Sequence, residues 1–295
     1  MIVKPTATGL EATAPAKLNL FLEVRGKRPD GYHEVETLMV TVDLHDTLTF
    51  TPDPSGAVRL ACDDPSLPTD AGNLVVRAAE RLREATGCRL GVSIHLHKEI
   101  PAQAGLGGGS SDAMTTLSAL NQLWGLHLPG EALDALAGTL GSDVAFFRHG
   151  PAAVGRGRGE LIERVPIGSS TPLHFVMINP PVGMGTAEVY RNVKPPDRPN
   201  PMGPAVEALR SGDVEALGAR LFNRLQPVAE ALEPSLGRIR LELERLGPAL
   251  LPGHLMSGSG SAYFGLALDG DAAQAAAQHL GTLGLGRVRV VTCGP

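Results

Sequence analysis

Four of the five residues from Gly105 to Gly109 are glycine, and they stand between a stretch that alternates like a strand and one that repeats like a helix. Upstream, Val92, Ile94 and Leu96 alternate with polar neighbours, which predicts a strand over Leu90–His97 with one apolar face. Downstream, Ala113, Leu117, Leu120 and Trp124 recur at helical spacing. The connecting run is Pro101, Ala102, Gln103, Ala104, Gly105, Leu106, Gly107, Gly108, Gly109, Ser110 and Ser111, followed by Asp112. Glycine, lacking a Cβ, lets the backbone come close to an oxyanion. The first amides of the following helix point their unpaired N–H groups, and the positive end of the macrodipole, at the same place. Ser110 and Ser111 add hydroxyl donors, and a serine hydroxyl also suits a metal ion carried on phosphates.

A glycine cluster also serves as a plain flexible connection capped by Ser or Asp. Three features of this one favour an anion cradle: its length, the strand before it and the amphipathic helix after it. It is not a Walker A loop, because the chain contains no G-x-x-x-x-G-K-[ST]. Nor is it the dinucleotide fingerprint, since counting from Gly105 and Gly107 puts Ser110 where the third glycine belongs.

Composition narrows the ligand. The 295 residues suffice for one large or two ordinary domains, and two lobes are expected, over 1–160 and 161–295. With 43% hydrophobic and 19% charged residues the chain reads as globular. The net charge of −5 comes without a polybasic block, which gives no electrostatic footprint for nucleic acid, so no nucleic-acid partner is expected and any anionic ligand is left to local groups. Met1 to Ala14 lacks a signal-peptide pattern, and no run of about 18 apolar residues occurs, so the expectation is a cytoplasmic protein without a membrane partner. Cys62, Cys88 and Cys293 are odd in number and far apart, and read as reduced thiols. Nothing in the chain sets its oligomeric state.

Elsewhere Leu18, Leu20, Leu22 and Val24 alternate with Lys17, Asn19, Phe21 and Glu23, a strand with one buried face on which Lys17 and Asn19 point the same way. Further strands are expected at Val35–Val42, Thr47–Phe50, Val58–Ala61, Leu161–Val165, His174–Ile178, Phe264–Leu268 and Val288–Val291. Asn73 caps a helix with Val75, Ala79 and Leu82 along one stripe. Helical patterns run over Ala205–Leu246 and Asp271–Leu283, after a Pro-rich loop at Lys194–Pro204. Helices grouped in this way point to α+β rather than a doubly wound sheet.

Other constellations each carry two readings. Met256-Ser-Gly-Ser-Gly-Ser-Ala262 is a second small-residue loop or a tight turn into a strand. Asp143, in Gly141-Ser-Asp-Val144, is a turn residue, or the carboxylate that phosphoryl transfer needs beside its acceptor hydroxyl. Lys17 is a solvated strand lysine or the positive charge that such a centre uses. Tyr32 and His33 follow a Pro29-Asp30-Gly31 turn and are either half-buried rings or a platform for a planar base. His95 and His97 read as the polar face of a strand, and Arg156 and Arg158 as a basic hairpin tip or a diphosphate contact.

Taken together, Pro15-Ala-Lys17-Leu-Asn19, Gly26-Lys-Arg-Pro-Asp-Gly-Tyr32-His33, the long glycine loop, Gly141-Ser-Asp143-Val and Met256-Ser-Gly-Ser-Gly-Ser resemble the GHMP kinases in order and spacing over nearly the whole chain. The resemblance implies an α+β, two-lobed fold, with an N-terminal lobe like a ribosomal protein S5 second domain and a ferredoxin-like C-terminal lobe. It implies an ATP-dependent, magnesium-requiring kinase. Gly-Tyr-His after Lys-x-Asn further implies a small cytidine diphosphate substrate, whose methylerythritol unit is phosphorylated at the 2-hydroxyl in the non-mevalonate route to isoprenoid precursors. By the same resemblance Lys17 and Asp143 are catalytic, and Pro101–Ser111 wraps the ATP phosphates with Asn73 and Lys98 on the nucleotide side. Asn19, Tyr32, His33, Thr186 and Tyr190 hold the substrate, Tyr190 as the second wall of a cytosine stack. Met114 stands where the family more often has alanine, and the residues before Ala12 look like an extension. The alternatives are a family member for another alcohol, of the homoserine or mevalonate type, and a nucleotide-binding regulator without chemistry.

Overall fold

The computed structural model describes residues 1–294. In chain order the elements are β1 (Ile2–Pro5), β2 (Leu10–Lys27), β3 (His33–Asp53), β4 (Val58–Cys62), α1 (Leu74–Thr86), β5 (Gly91–His97), α2 (Gly108–Leu123), α3 (Gly130–Leu140), α4 (Phe146–His149), β6 (Ala152–Arg156), β7 (Leu161–Arg164) and β8 (Leu173–Asn179). They continue as α5 (Thr186–Asn192), α6 (Gly203–Ser211), α7 (Val214–Gly218), β9 (Phe222–Asn223), α8 (Gln226–Leu232), α9 (Ser235–Leu246), β10 (Gly253–Met256), β11 (Tyr263–Ala267), α10 (Gly270–Gly281) and β12 (Arg287–Cys293). The chain divides into two compact units. One comprises Met1–Ala16, Leu44–Ile100 and Gly107–His149; the other comprises Lys17–Asp43, Pro101–Leu106 and the chain from Gly150 onward.

In the first unit the segment before Ala12 forms β1, hairpinned antiparallel on the start of β2 from Ile2↔Thr13 to Pro5↔Leu10. The end of β3 pairs antiparallel with β5, and β4 lies parallel on β5's other edge. Helices α1, α2 and α3 pack on one another. The Asn73 side chain accepts from the Val75 amide at 3.0 Å, which starts α1, and Val75, Ala78, Ala79 and Leu82 form its buried stripe. The expected strands at Val35–Val42 and Thr47–Phe50 are one element, β3. The intervening Asp43, Leu44, His45 and Asp46 keep the alternation of exposed and buried positions, so nothing breaks the strand.

In the second unit β10, β11, β8 and β12 form an antiparallel four-stranded sheet, and the first half of β3 pairs with β6, which pairs with β7. Its core gathers Val176, Ile178, Tyr263, Leu236, Ile239, Leu243 and Ala273 with Leu22, Val24 and Val35. The strand expected to bury one face buries both from Lys17 to Val24. The reason lies partly in β9, which pairs in parallel with Phe21 and Leu22 and sets Phe222 against Phe21 at 5.5 Å. The helical stretch expected across Ala205–Leu246 is four helices and a strand. It is punctuated by Gly212, left-handed at φ 73° beyond α6, by Asp213, which caps α7, and by Pro227 and Pro234 at the starts of α8 and α9.

Candidate active site

Lys17 is 2% exposed, and its ammonium donates to Asn19 Oδ1, so the two side chains share a face as period-2 geometry requires. Asn19 is fixed in turn. Its Nδ2 donates to Thr37 Oγ1 at 2.8 Å, and the Thr37 hydroxyl donates to the Phe21 carbonyl. Its backbone N–H reaches Ser257 Oγ at 3.3 Å, and that hydroxyl donates to the Gly105 carbonyl at 3.0 Å. The two small-residue loops therefore touch. A Cβ on Gly105, where φ is +75°, would stand 2.0 Å from the Ser257 carbonyl oxygen, and one on Gly258 would stand 3.0 Å from Lys17 Nζ. Three backbone bonds hold the first half of the glycine loop: Met184 N to Gln103 O, Ala262 N to Ala104 O, and Lys17 N to Leu106 O. Asn223 anchors the second loop, donating to the Met256 and Gly258 carbonyls at 2.8 and 2.7 Å.

The same unit carries an aromatic group. The Arg28–Tyr32 turn closes with Arg28 N donating to Tyr32 O, and Gly31 takes φ +86°. Tyr32 is 54% exposed, and the Arg158 guanidinium lies 4.9 Å from its ring centre. His33 meets Tyr190 at 5.4 Å between ring centres, so Tyr190 stands against the imidazole. Burial, with Lys27 as a lesser cause, holds His33 below its ordinary 6.5. It is neutral at pH 7, offering one donor and one acceptor. Thr186 Oγ1 lies 2.9 Å from Ser259 Oγ, on the second small-residue loop.

The first unit holds the other expected residues. Gly107 turns left-handed at φ 71° and α2 begins at Gly108, so the first amides of the helix follow the glycines directly. The Ser111 hydroxyl, Asp112 Oδ1 and the Thr115 hydroxyl are buried without a protein hydrogen-bond partner. Such orphaned oxygens mark capacity for a ligand or an ion. Among the described residues no group of three or more His, Cys, Asp or Glu side chains could hold a metal. The Ser111 hydroxyl is an oxygen donor of the kind a hard cation takes. Asn73 spends its amide locally, on Val75 N and the Pro68 carbonyl. Lys98 donates to Asp46 and to Asp112. Burial pushes the Asp112 carboxyl up, Lys98 opposes and Asp46 adds to the rise, leaving it at about 7. Asp143 sits half-buried in the turn that leads into α4.

Sequence reasoning missed several residues that hold this machinery. Asp46 occupies a buried phase of β3 together with Val42, Leu44 and Leu48, and a carboxylate at an apolar phase was the available signal. Asn223 lay inside a stretch read as helix. Glu23 is fully buried, and its carboxylate takes both Arg224 Nε and an Arg224 terminal nitrogen at 2.8 Å, together with the Asn200 and Val24 amides.

The family described as GHMP kinases N terminal domain matches residues 73–151, and the one described as GHMP kinases C terminal matches 205–284. A 4-diphosphocytidyl-2-C-methyl-D-erythritol kinase of Pelotomaculum thermopropionicum is 45% identical over 273 residues, covering 92% of this chain and 93% of that protein. The enzyme of the same name from Bacillus subtilis is 41% identical over 86% of both chains. A crystal structure of 4-(cytidine 5'-diphospho)-2C-methyl-D-erythritol kinase superposes with a TM-score of 0.78 at 41% identity, over 97% of this chain and 99% of that one. A homoserine kinase from Cytophaga hutchinsonii, at 23% identity and a TM-score of 0.77, shares the fold. With an α+β fold, a glycine loop opening a helix and full-length relatives at this level of identity, the chain belongs to the GHMP kinase family.

Proposed function

We propose that the chain transfers the γ-phosphoryl group of ATP to the 2-hydroxyl of 4-diphosphocytidyl-2-C-methyl-D-erythritol, giving the 2-phosphate and ADP, in the non-mevalonate synthesis of isoprenoid precursors. The observation that carries this reading is the 45% identity, over 92% of the chain, to a kinase of that name. The aromatic group of Tyr32, His33 and Tyr190 supports it, because an exposed ring and a neutral imidazole suit a pyrimidine. We assign the phosphate loop to a lobe over 1–160 and the remainder to a lobe over 161–295, and the matched family regions fall on either side of that boundary. We place the reaction in the cytoplasm. No helix among the described residues is long and apolar enough to cross a membrane.

In this reading the backbone of Pro101–Ser111 receives the polyphosphate, with Asn73 and Lys98 on the nucleotide side. Asn19, Tyr32, His33, Thr186 and Tyr190 hold the acceptor. The acceptor oxygen forms a bond to the γ-phosphorus as the bond from that phosphorus to the β-phosphate oxygen breaks, and the hydroxyl proton leaves toward Asp143. Lys17, already fixed by Asn19, contributes positive charge where negative charge develops. Magnesium, bound with the nucleotide, supplies neutralisation of phosphate charge. Catalysis then rests on positioning and electrostatics. A coupled assay of ADP release tests the proposal. Turnover is expected with the cytidine-linked acceptor and not with homoserine or mevalonate, and preference for either of those would overturn the substrate assignment.

A further inference from the structure

The glycine loop leaves the first unit after Ile100 and returns to it at Gly107. Both stems of this excursion end on the same buried charges. Asp46, fully buried on β3, accepts from the Glu99 and Ile100 amides at 2.6 and 2.8 Å through Oδ1, and from the Lys98 ammonium through Oδ2. Lys98 Nζ donates onward to Asp112 Oδ2 at 2.8 Å, in the second turn of α2, and the Lys98 backbone N–H is held by Asp63 Oδ1 at 2.9 Å. Gly108 makes this approach feasible, since a Cβ there would stand 3.0 Å from the Ile100 side chain and 3.3 Å from Lys98 Nζ. The Lys98 side chain is 8% exposed, Asp46 is fully buried and Asp112 is 2% exposed, so two carboxylates and one ammonium are out of water together. Buried ions of this kind seldom add stability over a well-packed apolar cluster. What they do supply is geometry: a cation bonded to two fixed anions has one place to sit.

We propose that Asp46, Lys98 and Asp112 form a clamp across the base of the glycine loop, positioning the first amides of α2 and the Glu99–Ile100 stem for the nucleotide polyphosphate without touching it. The proposal rests on the kinase reading above, and it deepens that reading by giving Lys98 a role through the loop. A backbone cradle binds an anion well only when its N–H groups are already aimed, because ordering them on binding subtracts from affinity. Asp46 spans the two ends of the loop in one step, from the Glu99 and Ile100 amides on one stem to Lys98, and through it to Asp112 on the other.

The test uses Asp46→Asn, whose amide nitrogen would face the Lys98 ammonium donor to donor, and the milder Asp112→Asn, which keeps an oxygen for Lys98 and carries the test if the first variant does not fold. Calorimetry with a non-hydrolysable ATP analogue and, separately, with the cytidine-linked acceptor gives the two affinities. The expected result is an ATP-analogue Kd raised about 10-fold or more, the scale on which misplaced groups lose effect, with the acceptor Kd changed less than about twofold. Hydrogen exchange at the Glu99 and Ile100 amides is expected to speed up in Asp46→Asn. An unchanged ATP-analogue Kd in folded protein overturns the clamp. So does a parallel loss of both affinities, since that marks general loosening. If the wild-type chain binds no ATP analogue, the functional reading falls and the clamp is judged on exchange alone: lost protection at Glu99 and Ile100 sustains it, and unchanged protection overturns it.

Discussion

Lys17 shows how burial can remove one reading of a residue. On sequence alone a lysine in an alternating strand is solvated, yet here its ammonium is buried against Asn19 and close to Gly258, where an added Cβ would stand 3.0 Å from it. Removing a lysine from water costs several kcal/mol unless hydrogen bonds offset it, and Asn19 supplies one such bond. Asp143 is its proposed counterpart in the chemistry. Asp143→Ala is expected to lower kcat by about 10²- to 10⁴-fold, the usual range for losing a general base, while an ATP analogue still binds with near-normal affinity. Steady-state kinetics beside calorimetry make the comparison, and near-normal turnover would remove Asp143 from the mechanism.

At the scale of elements, β2 is the strand on which the second unit depends. It carries Lys17 and Asn19 on one phase, and two residues further along that phase it carries Phe21 and Glu23, which hold β9 and the Pro-rich loop through Phe222, Arg224 and Asn200. Burial would push the Glu23 carboxyl up, but the bonds from Arg224 and from the Asn200 and Val24 amides outweigh it and hold it below its ordinary 4.5. A carboxyl depressed by folding contributes stability that is present above its unfolded pKa and lost as pH falls through the folded one. Glu23→Ala is therefore expected to cost about 2 kcal/mol in urea unfolding at pH 7, the scale of hydrogen bonds to a charged group, since the Arg224 side chain left behind is 27% exposed. The penalty should shrink as pH falls below the ordinary 4.5 and through the depressed folded value. A loss under about 0.5 kcal/mol, the level of a neutral surface change, would show that the pair does not brace the strand. Elements with a strong period and a cap, such as α1 behind Asn73, were legible from sequence because local chemistry decides them. The stretch after Ala205 was not, since β9 exists only by pairing with Phe21 and Leu22, some 200 residues away in the chain.

For the molecule as a whole, what was legible in the sequence was what is contiguous in it. The glycine loop, the Ser-Gly loop and the turn before Tyr32 each announce their backbone demands in a few adjacent residues, and the structure shows left-handed glycines at Gly31, Gly105, Gly107 and Gly258. Contacts between distant residues were hidden: Ser257 on the Gly105 carbonyl, Tyr190 on His33, and Asp46 at the base of the loop. Only Asp46 leaves a local trace, as a carboxylate on an apolar phase of β3; the partners of all three are set by tertiary packing. Arg158, read as a hairpin tip or a diphosphate contact, lies over Tyr32 for the same reason. The central claim is that one ATP phosphoryl group goes to one hydroxyl of a cytidine-linked acceptor. Phosphorus NMR of the product of a complete reaction tests it most directly. The account predicts one new phosphomonoester signal per ADP formed, an intact diphosphate, and no reaction with the analogue lacking the 2-hydroxyl. Inorganic phosphate as the sole product, or an equal yield from that analogue, would contradict it.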